Sequence, residues 1–568
     1  MSATMTNEPG GYGFDRFLRY DEMVAWLRDL AERHPDLVEL TTYGRSHEGR
    51  DLWLATVTDR TTGPADGKPA HWVDANIHSV EVTGGVAALH LLHHLVTRRD
   101  DPAVAEVLRT RTMYVAPRVN PDGVEAALAD HPRQHRSSTR PWPRRDGHRW
   151  PGLHPADIDG DGRIRVMRIA DAHGAWMEHD EDARVMVPVP VDGITDGRGR
   201  YRLLTEGDVV DHDGFTIPTP RDPAGLDLNR NFPAGWSTAV TGSGDHPLSE
   251  PEIDALVRAV RARPNICGYN AYHTFGGVLL RPSSTRPDAD LPPIDLDVWR
   301  RFAGVGETLT GYRTHSVFED FTRDRSDLMS GAADDWAYEH LGVYSWTTEF
   351  WDVIHAATGE RASTHIWWDG PTPEQELAVA RWCDTHLPGG YVGWQPFEHP
   401  VLGPVEIGGC DDFAVWNNPP ASSLRAEVAG HAPFAVHQAL ASPCLEIVHV
   451  EQHRLGDAVE VRVGVANTGW LPTDVSVWAR RHSLVGPVVM TLSGPGGSEG
   501  PEILDGPARR SLGQLEGRRS SAGGARNDGT PDRALQRWLV RAPEGTRLLV
   551  TAEHPRAGTV TSEIVVGG

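Results

Sequence analysis

His78 and Glu81 stand three residues apart, after the apolar run Trp72–Ile77 and before an Ala/Leu-rich run from Val82 to Val96. The spacing predicts a strand that ends on His78 and a helix that starts beside Glu81. One turn of chain brings the carboxylate back to the side of the imidazole. Such a pair suits Zn²⁺, which takes nitrogen and oxygen ligands at about 2.0–2.2 Å. The pair alone decides little. The chain has 28 histidines, so H-x-x-E arises by chance, and a glutamate in a first helical turn also suits the helix dipole.

Other residues carry compatible chemistry. His273 ends the apolar strand Ile266–Thr274. Glu349 sits inside Tyr344-Ser345-Trp346-Thr347-Thr348-Glu349-Phe350-Trp351, where an unpaired carboxylate is costly to bury. It is either paired with an arginine or placed for reaction. Asn229-Arg230-Asn231 sets a guanidinium beside two amides, either as a polar turn or as a cradle for a carboxylate.

These residues need a scaffold. An amphipathic helix is expected over Asp15–Arg33, strands over Leu37–Thr42, Leu52–Thr58 and Thr112–Pro117, and helices over Asp295–Thr308, Ser330–Leu341 and Pro373–His386. Ser249–Arg263 reads as a helix with Ser249 as N-cap and Glu252 completing a capping box. Alternation of strands and helices predicts an α/β domain with a mixed parallel/antiparallel sheet flanked by helices. Residues 131–225, rich in Arg, Asp, Gly and Pro, read as a long insertion with short strands at Ile164–Ile169 and Arg184–Val189. Composition shifts near Gly389-Gly390. The expected division is a catalytic domain at 1–390 and a β-sandwich at 391–568. The sandwich strands are expected at Leu445–Val450, Ala458–Val465, Val475–Ala479, Leu548–Ala552 and Val560–Val566, with a mobile Gly/Ser/Arg-rich loop over about 493–533.

Bulk properties narrow the function. In 568 residues, 39% are apolar and 24% charged, and the net charge is −24, which argues against nucleic-acid and anionic membrane partners. Four scattered cysteines form no C-x-x-C and no disulfide scaffold. Residues 1–13 lack a basic and an apolar region of the signal-peptide kind, so the expected location is cytoplasmic.

Taken in order, HSVE (His78–Glu81), NPDG (Asn120–Gly123), LDLNRNF (Leu226–Phe232), AYHT (Ala271–Thr274), DDWAY (Asp334–Tyr338) and TTEF (Thr347–Phe350) resemble the zinc carboxypeptidase family of the carboxypeptidase A/B/T type. The resemblance covers about residues 14–390. It implies one Zn²⁺ per chain on His78, Glu81 and His273, with Glu349 as general base. Asn229 and Arg230 would hold the terminal carboxylate of a peptide, Asp227 would orient His78, and an arginine after NPDG, taken as Arg136, would polarise the scissile carbonyl. Asp334 falls where the family's B-type enzymes carry the acid of the specificity pocket, which implies a preference for C-terminal Arg or Lys.

Two features depart from the pattern. The family's substrate-capping tyrosine falls on Asp327, and the insertion is long enough to roof the cleft. Two alternatives stand beside the peptidase reading: a zinc amidase acting on cell-wall or other modified peptides, and a peptide-binding protein without turnover. Asp157-Ile158-Asp159-Gly160-Asp161-Gly162 also resembles the start of an EF-hand calcium loop. Arg168 stands at the twelfth position, where such loops need a carboxylate, so a structural Ca²⁺ near Asp157, Asp159 and Asp161 would need Asp171 or Glu178 to fold back. An Asp/Gly-rich turn is the simpler expectation.

Overall fold

The computed structural model describes residues 11–142, 149–219, 225–498, 500–521 and 529–567. An eight-stranded mixed sheet carries the site. In spatial order its strands are Val38–Arg45, Asp51–Val57, Thr112–Ala116, Ala70–Ala75, Ile266–Thr274, Tyr344–Phe350, Val278–Arg281 and Arg313–Ser316. The four strands Thr112–Ala116, Ala70–Ala75, Ile266–Thr274 and Tyr344–Phe350 run parallel at its centre. Every residue of Ala70–Ala75 is buried, as expected where both sheet faces are covered. Alternate residues feed two cores: Val73 and Ala75 on one face, Ala70 and Trp72 on the other.

The helix Thr83–Thr97 is buried almost all round, which explains why its sequence is mostly apolar, with only His90, His93 and His94 interrupting the run from Val86 to Val96. One side packs on the sheet. The other is covered by the helices Ala421–Ala429 and His431–Leu440. Its first turn lies close against the sheet: a Cβ on Gly84 would come within 2.6 Å of the Tyr272 carbonyl oxygen, and one on Gly85 within 2.2 Å of Asn76 Oδ1.

The 131–225 insertion folds with later sequence. Val166–Ala170, Tyr201–Thr205, Trp176–Glu178 and Met186–Pro188 share a six-stranded sheet with Tyr391–His399 and Gly403–Cys410. Arg168 fastens this sheet. Its guanidinium lies 4.2 Å from the Tyr201 ring centre and 4.4 Å from that of Trp394, and it pairs with Glu178 and Glu406. A break at 390/391 would therefore separate strands of one sheet. Two packed four-stranded sheets, the all-β sandwich, begin at Leu445.

Several local expectations change. The Ser249 helix begins at Pro251 with Glu250 as N-cap, and Glu252 instead accepts the His47 backbone N–H, so no capping box forms. Ser330–Leu341 divides into Ala333–Trp336 and a wider turn, Ala337–Leu341. Val475–Ala479 is not a strand: Val477–Arg481 is a short helix capped by Ser476. Its first N–H groups, on Val477 and Trp478, donate to Asp295, a buried carboxylate that also receives the Tyr338 and Tyr344 hydroxyls. A helix start satisfies that acid better than a strand would. The expected 493–533 loop contains the strands Glu502–Asp505 and Arg509–Gly513. Its residues 499 and 522–528 lie outside the described residues, as do 143–148 and 220–224 of the insertion.

Candidate metal centre and active site

His78 does not end its strand. The strand stops at Ala75, and Asn76 turns the chain with φ +54°. This conformation is uncommon outside glycine, and asparagine tolerates it because its short amide bonds locally. The Asn76 amide donates to the Glu81 carbonyl oxygen at 2.6 Å, closing a loop that carries both side chains. Ser79 fixes the loop from outside: its N–H donates to the Arg136 carbonyl oxygen at 3.1 Å and its hydroxyl to that of Ser137 at 2.8 Å. Asn120 of the NPDG motif caps the next helix through Gly123 N–H and donates to the Ser137 carbonyl at 2.7 Å. That motif thus positions Arg136 as well as a turn.

His78, Glu81 and His273 converge, all buried, with one ligand atom of each within 4.8 Å of the others. His78 Nδ1 lies 2.8 Å from Glu81 Oε1, His273 Nδ1 lies 3.0 Å from Glu81 Oε2, and the two Nδ1 atoms are 3.2 Å apart. Ligands about 2.1 Å from one tetrahedral ion stand about 3.4 Å from each other, so the spacing fits zinc. The other ring nitrogen of His78, Nε2, is 3.0 Å from Asp227 Oδ1. A proton held there leaves Nδ1 with its lone pair toward Glu81 and His273, as a metal ligand requires.

The electrostatics favour a cation. Burial works to raise the pKa of Glu81, but His78 and His273 outweigh it and hold the carboxylate well below its ordinary range. Burial likewise opposes ionisation of Asp227, and Arg136, Arg230 and His78 reverse the effect. Arg136 donates to Glu81 at 3.1 Å and to Asp227 at 3.2 Å. Burial, helped by the charges of His78 and Arg136 and opposed by Glu81, pushes His273 down toward the neutral, coordinating form.

Glu349 is the register partner of His273 on the adjacent parallel strand, so both side chains leave the same sheet face at its carboxyl edge. Burial and the nearby Glu81 charge push its carboxyl well above the usual range. Its Oε2 is buried with no hydrogen-bond partner among the described residues. A buried carboxyl oxygen with no partner beside a metal-type cluster is placed to exchange a proton with a group that enters the cavity.

A cavity of about 290 Å³ brings together His78, Glu81, Arg136, Asn229, Arg230, His273, Asp334 and Glu349. Asn229 accepts the Ala333 N–H at 2.9 Å. The Arg230 guanidinium donates to the Asn229 carbonyl at 2.7 Å, and among the described residues no carboxylate pairs with it. Asp334 lies 3% exposed at the cavity wall, and burial raises its pKa. Asp335 behind it is pushed up to about 8 by burial and by the Asp334 charge. No tyrosine lines this cavity among the described residues. Asp327 faces a neighbouring cavity, and Trp367 and Trp368 form the aromatic wall.

The calcium expectation needs a correction. Asp157, Asp159 and Glu206 have oxygens within 4.8 Å of one another, so Glu206 replaces Asp161 in the group. Asp161 turns to Arg165 at 2.9 Å, Asp171 pairs with Arg202 and Glu178 with Arg168. The Glu206 oxygens already accept the N–H groups of Ile158 and Arg165.

Sequence reading missed Asn418. Its buried amide donates to the Val80 carbonyl at 2.8 Å and accepts from Thr83 N–H at 3.1 Å and Thr83 hydroxyl at 2.8 Å. It therefore spans Glu81 and caps the following helix, whose own N-cap, Val82, has no capping side chain. The one signal the sequence offers is the cluster Asn417-Asn418-Pro419-Pro420, a turn-forming composition, and nothing in it points to residue 81.

The chain belongs to the zinc carboxypeptidase family, whose model matches residues 23–153 and 188–358, more than half of the sequence. Human carboxypeptidase A6 is 30% identical over 353 residues, covering 60% of this chain and 62% of that protein. Mouse carboxypeptidase M is 31% identical over 112 residues, 20% of this chain and 25% of the relative. The chain thus spans under two thirds of the curated relatives it matches. Among solved structures, thrombin activatable fibrinolysis inhibitor aligns with a TM-score of 0.43 and 17% identity over 77% of each chain. Residues 444–565 match a domain of unknown function.

Proposed function

We propose that this protein is a zinc-dependent metallocarboxypeptidase that removes the last residue of peptides, with a preference for C-terminal Arg or Lys. The observation that carries the reading is the orphaned Glu349 oxygen on the same sheet face as the His78, Glu81 and His273 cluster. Those three side chains would hold the ion. Zinc bound there supplies Lewis acidity and lowers the pKa of a coordinated water to about 7. Glu349 accepts a proton from the attacking water at Oε2 and returns it to the leaving amine. Arg136 places a fixed positive charge where the carbonyl oxygen becomes negative. Arg230, with Asn229 setting its position, binds the free terminal carboxylate and so selects the last peptide bond. Asp334 gives the pocket an acid to meet a cationic side chain. The same acid suits the amine of a diamino acid, which keeps the amidase reading as the second one.

The test combines metal analysis with a panel of peptides ending in Arg, Lys, Leu and Glu, each also made as the C-terminal amide. Zinc near one equivalent and cleavage of the free-acid peptides, fastest for Arg and Lys, are expected. Glu349→Gln should keep its zinc and lose activity by about a thousandfold. Zinc binding with no cleavage of any peptide would remove the carboxypeptidase reading and leave the amidase and binding-protein readings. Equal rates on all four ends would remove the basic preference.

A further inference from the structure

A second cavity, of about 220 Å³, lies between the insertion sheet and the helix Pro373–His386. It shares no lining residue with the catalytic cavity. Of its wall, only Pro188 and Leu203 fall within the residues that match the family. Trp176, Trp394, Met186 and Pro371 make much of the wall apolar. Glu376, near the start of the helix, presents a carboxyl to it. The Tyr391 hydroxyl, on a ring that is 4% exposed, donates to one Glu376 oxygen. Among the described residues no basic side chain pairs with this carboxyl, and burial, with the nearby Asp412 charge, pushes it up to about 7. The other ionisable groups on the wall are already answered. Arg184 is held by Asp182 at 2.7 Å and by Asp384 at 2.6 Å, Asp369 is paired with Arg323, and burial keeps the Cys410 thiol neutral.

We propose that this cavity binds a small primary ammonium compound with a one-ring apolar body, its ammonium on Glu376 and its ring against Trp176 and Trp394. The site is separate from the metal centre and does not rest on the carboxypeptidase reading. The wall selects the ligand by elimination. A wholly apolar molecule would cover Glu376 and supply no donor, which leaves a polar group buried at a cost. An anion would face that carboxyl and find the Arg184 guanidinium taken by two aspartates. An ammonium brings three donors and a positive charge, and a carboxylate with one hydroxyl bonded to it has acceptor sites to spare. Indole faces also attract a cation and the CH groups next to it. Trp394 shows this within the protein, where the Arg168 guanidinium lies 4.4 Å from its ring centre. A volume of about 220 Å³ is below that of a typical small-molecule site, which limits the body to a single ring.

The experiment titrates the zinc-loaded full chain, by ligand-observed NMR, with 2-phenylethylamine and with 2-phenylethanol, which has the same ring and no cation. The amine should bind about tenfold more tightly than the alcohol, the scale of a hydrogen bond to a charged group. Glu376→Gln should bring that ratio to about twofold or less, because the amide keeps the shape and loses the charge. Leu203→Phe narrows the cavity without touching the carboxyl and should weaken the amine about tenfold. Asp334→Asn alters an acid of the catalytic cavity and should leave the ratio as it is. Equal binding of amine and alcohol, or binding of neither, overturns the proposal. So does a ratio that survives Glu376→Gln, or one that disappears in Asp334→Asn, which would put the amine at the catalytic cavity instead. Should Glu376→Gln fail to fold, Leu203→Phe decides, and unweakened binding overturns the proposal.

Discussion

Among the described residues, two groups of side chains have metal-like spacing, and their surroundings push the carboxyl at the heart of each in opposite directions. At the first, His78, His273 and Arg136 crowd Glu81, and its carboxylate stays ionised despite burial. At the second, Glu206 is fully buried beside Asp157 and Asp159, and its carboxyl is pushed up to about 7 by burial, with the Asp159 charge adding to the shift. Backbone N–H groups on Ile158 and Arg165 pull the other way but do not win. Donor spacing alone therefore does not make a ready ligand. The first site has positive neighbours that keep the ligand charged and an aspartate that fixes a ring tautomer; the second has a carboxyl that holds its proton up to neutral pH.

The most severe way to break this contrast is to remove a donor from the first group. His273→Ala should lower zinc affinity by about a thousandfold or more, because binding at such centres carries a large share of its free energy per ligand. Competition with a chelator of known affinity reads it directly. A variant that keeps tight zinc would show that the ion sits elsewhere.

Asn418→Ala should have a smaller effect. The side chain touches no ligand atom; it holds the loop on either side of Glu81 and the start of the helix behind it. Groups that orient metal ligands from outside contribute about ten- to a hundredfold in affinity or activity. We expect about tenfold weaker zinc binding and a matching fall in kcat at subsaturating zinc, both recovered with excess metal. A loss that excess zinc does not repair would mean that Asn418 serves the fold more than the ligand loop.

These residues differ in how readily sequence reveals them. His273, Glu349 and the Asn229-Arg230 pair sit on strong local patterns, and the strand Ile266–Thr274 has the bounds its apolar run implies. Asn418 and Glu206 act across 335 and 48 residues, on partners that only the folded chain supplies. His78 lies past its strand because Asn76 adopts a conformation that no apolar pattern encodes. The short helix at Val477 has the composition of a strand and is decided by Asp295, which offers acceptors to its first N–H groups. Composition changes near 390, and the strands of 391–410 pair backwards, with the insertion.

The smallest effect tests the second group. Glu206 has a folded-state pKa of about 7 against an ordinary value of 4.5. Below about pH 4.5 the carboxyl is protonated in both folded and unfolded chains, and its contribution is fully present. As the pH rises to 7, the unfolded chain ionises while the folded one does not, so stability falls through that window and levels off above it. A shift of this size corresponds to about 3 kcal/mol at most, a few degrees in Tm for a chain this long. Melting in chelator from pH 4.5 to 8 should therefore show a shallower downward slope for Glu206→Gln than for wild type, since glutamine has no proton to lose while Asp74, Glu252 and Glu376, also pushed up to about 7, titrate in both. The comparison is between slopes, because the amide also disturbs the two backbone N–H contacts at every pH. Millimolar calcium sharpens the contrast. A cation held by Asp157, Asp159 and Glu206 would keep the carboxylate ionised in the folded state and flatten the wild-type slope, leaving the variant unchanged. An unaltered slope with calcium present means that the second group is a proton-holding turn, and that the first is where this chain spends its buried charge on a metal.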